Sequence, residues 1–275
     1  MSTVQVVGLG AIAGFTIFLG LPMGRVQARS SSTKTFLNGL SAGILVFLFV
    51  DIVEGAGGVL EDSLSAARTS GGSWGHFAAI ATLYATGLGV GLLSLLYLGR
   101  VGRRSAPSLG PGAMSIAETA VGARQEALRL GMSIATGIGL HNFSEGLAIG
   151  QAAHSGEISL ALLLIIGFGL HNATEGFGIV GPLAAAGVRP SWGWLLLAGL
   201  IGGGPTFLGT LVGNAVSSPY VFVAFLSLAA GAILYVVGEL FAAGRRLSWE
   251  YTLWGVLAGF LMGLATELVV VAAGA

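Results

Sequence analysis

The sequence predicts an all-α, polytopic integral membrane protein: one domain, residues 1–275, of eight transmembrane helices with both termini outside. Three observations carry this. Of its residues 54% are hydrophobic and 9% charged, against about 25% charged in an ordinary soluble domain, and the mean hydropathy is +0.88. Eight apolar runs approach the roughly 20 residues needed to cross a bilayer. The basic residues alternate between successive connections.

Taken in order, the runs cover about 4–24, 36–58, 77–99, 128–153, 157–180, 191–213, 219–243 and 251–273. The first follows Met1-Ser2-Thr3-Val4-Gln5, which lacks the basic region of a cleavable signal, so it is expected to stay as a span. Spans four and five are separated only by His154-Ser155-Gly156. The connections after spans one, three, five and seven hold eleven of the twelve Lys and Arg residues, and Arg68 alone lies on the other side. Positive loops remain cytoplasmic, which sets the orientation. The longest connection, about 100–127, is then cytoplasmic. Ser105 to Gly112 reads as a flexible linker, and Ile116 to Leu130 as either a solvated loop or a short surface helix running into span four.

Composition also excludes. With no cysteine, the chain has no disulfide, no thiolate metal site and no cysteine nucleophile. A net charge of zero offers no nucleic acid a basic face. The 47 glycines suit close packing of membrane helices. Without a transit signal, the expected location is the plasma (inner) membrane of a prokaryotic cell.

Spans four and five carry the same phrase 30 residues apart: Gly139-Leu140-His141-Asn142-Phe143-Ser144-Glu145-Gly146 and Gly169-Leu170-His171-Asn172-Ala173-Thr174-Glu175-Gly176. Adjacent spans run oppositely, so the copies form an inverted pair, and each His falls about 13 or 14 residues from a span end, near the bilayer centre. Transporters place substrate sites where inverted repeats meet. His and Glu four apart share a helical face, and Asn points about 100° away, still within reach of a common cavity. A carboxylate at the bilayer centre costs at least ~2.5 kcal/mol, so two of them, each with His and Asn at the same spacing, point to a ligand. Imidazole and carboxylate together suit Zn²⁺, Fe²⁺ or Mn²⁺. A shorter echo places Ala42-Gly43 before Asp51, and Ala230-Gly231 before Glu239, at equal offsets. Asp51 is expected in the outer stretch of an ion path and Glu239 in the inner stretch. Glu54 lies nearer the outer surface, and Glu267 is an acid in span eight with no evident partner. His76 and His154 read as solvated loop residues.

On these phrases the chain resembles the ZIP (Zrt/Irt-like protein) family of divalent metal transporters, over most of its length. Many bacterial members carry His-Asn-x-Pro-Glu-Gly in span four and a close variant in span five. The resemblance implies that His141, Glu145 and Glu175 bind the transported ion, with Asn142, His171 and Asn172 around them. It also implies uptake into the cytosol, sliding of one helix bundle against another along spans two and seven, and a homodimer. Zinc is the leading cargo, with iron, manganese, cobalt or cadmium beside it, and no catalytic cofactor is expected. The chain departs from the family pattern where Ser144 and Thr174 replace proline. Gly203-Gly204-Pro205-Thr206 likewise stands where relatives often carry Glu-Pro, which favours one principal ion over a two-metal centre. The His-rich loop of many members is missing. The rival expectation is an intramembrane metal-dependent hydrolase, against which the chain lacks His-Glu-x-x-His and Gly-x-Ser-x-Gly.

Overall fold

The structure, a computed structural model, describes residues 3–25, 30–69, 71–104, 116–156, 158–216 and 218–273. Apolar runs with few charges can satisfy their backbone in lipid only as helices or closed barrels, and here they are helices throughout. In chain order these are α1 (Thr3–Phe15), α2 (Ile17–Gly20), a 3-10 turn (Leu21–Arg25), α3 (Ser31–Thr69), α4 (Trp74–Arg104), α5 (Ile116–His154), α6 (Ile158–Ala185), α7 (Trp192–Ala215), α8 (Pro219–Leu247) and α9 (Trp249–Ala273). Among the described residues there is no strand.

Among the described residues, seven segments are long and apolar enough to cross a membrane: the first, Val4–Arg25, and the bodies of α3, α4, α6, α7, α8 and α9. The fourth expected span, within α5, is not one of them on hydropathy. His141, Asn142, Ser144 and Glu145 dilute its apolar middle. The first span is also not one unbroken helix. Thr16 interrupts it, its Oγ1 donating to the Ala13 carbonyl at 2.7 Å, and Pro22 lies in the 3-10 turn that follows. The segment Ile116 to Leu130 is continuous helix with the rest of α5, so the surface-helix alternative describes it rather than the loop. The linker expected over Ser105 to Gly112 lies outside the described residues, apart from the helical ends that flank it.

The helices sort into two packed groups. In one, α5 lies against α7 and α6, and the first span against α6 and α7. In the other, α3 lies against α9 and α8, and α8 against α4. The groups meet where α5 faces α8, where α3 faces α6, and where α6 touches α9. Leu45, Leu48, Ile138, Ile179, Ile233 and Val236 form an apolar core across this boundary.

Side-chain bonds pin the helix ends. Ser191 caps α7 by accepting from the Trp194 amide at 3.1 Å, and Pro219 opens α8 behind Ser218. At one end of the bundle Arg25 donates to the Pro190 carbonyl, tying the first span to the α6–α7 connection, and its guanidinium lies 4.5 Å over the Trp192 ring. At the other end His76 Nδ1 and the Tyr220 hydroxyl meet at 2.6 Å, joining the starts of α4 and α8.

The short echo has a packing counterpart. A side chain at Gly43 would strike the Val256 carbonyl of α9, and one at Gly231 would strike the Leu88 carbonyl of α4. Both positions let backbones approach closely. Gly43→Leu and Gly231→Leu are therefore expected to destabilise the bundle by about 1–3 kcal/mol each. Gly89→Ala, where nothing lies within 4 Å, leaves the thermal midpoint in detergent unchanged. A melting series of the three variants checks this.

Candidate metal site

The doubled phrase puts two polar rows on facing helices. Asn142 Nδ2 donates to Asn172 Oδ1 at 2.6 Å, so α5 and α6 touch at the second residue of each phrase. Asn142 Nδ2 also donates to the Gly202 carbonyl of α7 at 3.0 Å, and Asn172 Nδ2 to the Ala13 carbonyl of α1 at 3.2 Å. Ala13 and Gly202 sit on the two other elements of the same group, so the asparagine pair ties its four members together. Both amide nitrogens are thereby committed to helix packing.

With the asparagines holding the register, the imidazoles converge. The His141 and His171 ring centroids are 6.2 Å apart. His141 Nε2 lies 3.4 Å from Glu145 Oε1, and His171 Nε2 lies 3.5 Å from Glu175 Oε1, each pair one helical turn apart. His141, Glu145 and His171 each present a ligand atom within 4.8 Å of the others. This is metal-ligand spacing. Glu175, expected beside His141 and Glu145, is outside this group of three, while its neighbour His171 is within it. All six phrase residues are at least 95% buried.

Burial at this depth ordinarily demands hydrogen bonds, yet several atoms in and around the cluster make none among the described residues. These are both ring nitrogens of His141, Glu145 Oε2, both carboxylate oxygens of Glu175, Asn142 Oδ1, Ser144 Oγ and, on α7, Thr206 Oγ1. The Asn142 side-chain nitrogen donates to Asn172 and Gly202. Unpaired acceptors on carboxylates and imidazoles, gathered at one point, are the donor set a dication recruits.

A cavity of about 260 Å³ reaches this cluster, lined by His141, Ser144, Glu145 and His171 at its floor. Asp51 and Glu54 of α3 and Glu267 of α9 line it as well. Ala148, Phe168, Phe222 and Leu226 complete much of the wall, so the cavity runs toward the end of the bundle where α5 turns into α6 and α8 begins. On the opposite side of the cluster the apolar core around Leu45, Ile138 and Ile233 closes the boundary.

The expected residues thus divide. Asp51 shares the cavity with the cluster, whereas Glu239 is half-buried on α8 and outside that cavity. His76 pairs with Tyr220, and His154 is exposed beyond the cavity. Glu267, without a partner in the sequence, joins Asp51 and Glu54 because α9 packs on α3. Nothing in its spacing signalled this; only its charge within an apolar run did.

A profile described as "ZIP Zinc transporter" matches residues 110–266, which include both phrases. The chain is also similar to the zinc transporter ZupT of Corynebacterium glutamicum, 30% identical over 258 residues, covering 90% of this chain and 94% of that protein.

The cluster generates a direct expectation for binding. His141→Ala, Glu145→Ala and His171→Ala each weaken Zn²⁺ binding to the purified protein by at least about tenfold. His154→Ala leaves the dissociation constant unchanged. Equilibrium dialysis with a metal indicator measures both.

Proposed function

The chain belongs to the ZIP zinc transporter family, a family of carriers rather than enzymes, and on that footing we propose that it takes divalent transition-metal ions, zinc foremost, into the cytosol. Iron, manganese, cobalt and cadmium fall within the same mixed nitrogen and oxygen chemistry. The observation that carries the proposal is the convergence of His141, Glu145 and His171 against a cavity between two helix groups.

The packing and the basic residues support a topology. Eight crossings are proposed, with α5 as the one whose polar middle hides it from a hydropathy criterion. It is enclosed by α1, α6, α7 and α8, four helices from apolar spans, which shelter its polar residues from lipid. Basic residues at the end marked by the Arg25–Pro190 bond, with Arg189, Arg245 and Arg246, support a cytoplasmic assignment for that end. Both termini and the cavity mouth then face outside. Matching pairs support an inverted repeat: α5 with α8 answers α3 with α6, and α3 with α9 answers α8 with α4.

Transport in this scheme begins when a hydrated M²⁺ enters past Glu54, Glu267 and Asp51. The acids lower the cost of bringing a dication out of bulk water. At the floor, His141, Glu145 and His171 replace part of the water shell, and Glu175 supplies the second negative charge that makes the occupied site neutral. Sliding of the α1, α5, α6 and α7 group along α3 and α8 then carries the ion inward, where Glu239 borders the exit. The asparagine bolt lets that group move as a body. Ligands must be deprotonated to bind, so acid weakens uptake. A homodimer in the plasma membrane is the proposed assembly.

A hydrolase has no comparable support, since the matched family transports. Reconstituted into sealed proteoliposomes, the protein is expected to accumulate Zn²⁺. Glu145→Ala and Glu175→Ala reduce accumulation to the level of empty vesicles, while Ala at His76 or His154 changes it less than about twofold. Normal uptake by the Glu145→Ala, Glu175→Ala double variant would overturn the site.

A further inference from the structure

The two copies of the phrase are not used alike. In α6 the Thr174 Oγ1 donates to the His171 carbonyl at 2.7 Å, the ordinary way for a hydroxyl within a helix to find a partner in its own backbone. Ser144 holds the matching place in α5. Its residue is 1% exposed, and its Oγ has no hydrogen-bond partner among the described residues. Instead it lines the cavity shared with Asp51, Glu54 and Glu145. Leaving a buried hydroxyl unpaired is costly, and Thr174 demonstrates that a local remedy is sterically available at this position of the phrase. The departure at Ser144 therefore points at something in the cavity.

We propose that Ser144 is a specificity-determining residue of the transport path, its hydroxyl hydrogen-bonded to the water shell of the dication arriving at the His141, Glu145 and His171 cluster. This rests on the carrier function proposed above and adds to it a contact that selects among ions. Water bound to a dication is a strong donor whose protons point outward, and the Ser144 oxygen accepts one of them. The cavity of about 260 Å³ holds an ion with roughly half a dozen waters, each taking about 30 Å³. Its companions there, Asp51 and Glu54, are also oxygen donors. A neutral oxygen that holds water in place favours ions comfortable with oxygen ligands, such as Mn²⁺, over softer Cd²⁺.

Competitive uptake by wild type, S144A, S144T and S144C in proteoliposomes tests this. S144A is expected to raise KM for Mn²⁺ by roughly 3- to 10-fold, the worth of one hydrogen bond, with KM for Cd²⁺ and both kcat values within about twofold of wild type. S144T keeps the hydroxyl and retains the Mn²⁺ preference, whereas S144C, bearing sulfur, shifts preference toward Cd²⁺. Wild-type KM values in S144A, or a kcat lowered equally for every ion, would overturn the assignment. Should S144A fail to accumulate, S144C offers the sole thiol in a chain without cysteine. Protection of that thiol from a water-soluble methanethiosulfonate by Mn²⁺ supports the contact, and no protection by any ion overturns it. Equilibrium dialysis of Mn²⁺ keeps the two claims apart. Weaker Mn²⁺ binding by S144A, beside a wild type that moves no ion, would refute the carrier and uphold Ser144, while unaltered binding by S144A beside active wild-type uptake would do the reverse.

Discussion

Everything in this fold answers to the cost of holding two carboxylates and two imidazoles at the centre of a membrane bundle. A single charge at that depth costs at least ~2.5 kcal/mol, and neither Glu145 nor Glu175 has a Lys or Arg beside it among the contacts described. The compensation is a shared one. The histidines stand one turn from their own glutamates and face each other across the α5–α6 seam, so in the proposed function one dication would answer all four groups together. That explains why these side chains come as a duplicated set.

Holding such a set requires backbone precision that side-chain packing in lipid does not by itself supply, because lipid provides little hydrophobic drive between helices. The protein uses two devices. Small residues draw helices together, as Gly43 does against α9 and Gly231 against α4. The Asn142–Asn172 bond, extended to Gly202 and Ala13, then locks α1, α5, α6 and α7 into one register. Polar groups that look like ligands in the sequence are thus partly the mortar of the site. The boundary with the other group, by contrast, is largely apolar and interrupted by the cavity. In the proposed cycle it is the plane along which one group slides past the other.

Much of this was legible beforehand. The helical class, the matched phrases on adjacent spans and the burial of His141, Glu145, His171 and Glu175 follow from apolar run lengths and a 30-residue repeat. What stayed hidden depends on which helix lies beside which. Glu267 joins Asp51 only because α9 packs on α3, and no periodicity encodes that. The companionship of His171 with His141 and Glu145 depends on rotamers and interhelical distance, which spacing leaves open. Hydropathy was least informative at α5, where function requires the polar residues that spoil the signal. Thr16 and Pro22 break the first span in a way its apolar composition conceals.

The central claim is that one dication sits between α5 and α6 on mixed imidazole and carboxylate ligands. X-ray absorption at the zinc edge on the Zn²⁺-loaded, purified protein tests it most directly. The account predicts a shell of nitrogen and oxygen neighbours at about 2.0–2.1 Å, with an imidazole contribution that shrinks in His141→Ala and again in the His141→Ala, His171→Ala double variant. An imidazole signal unchanged in that double variant would contradict it, because zinc would then be held elsewhere.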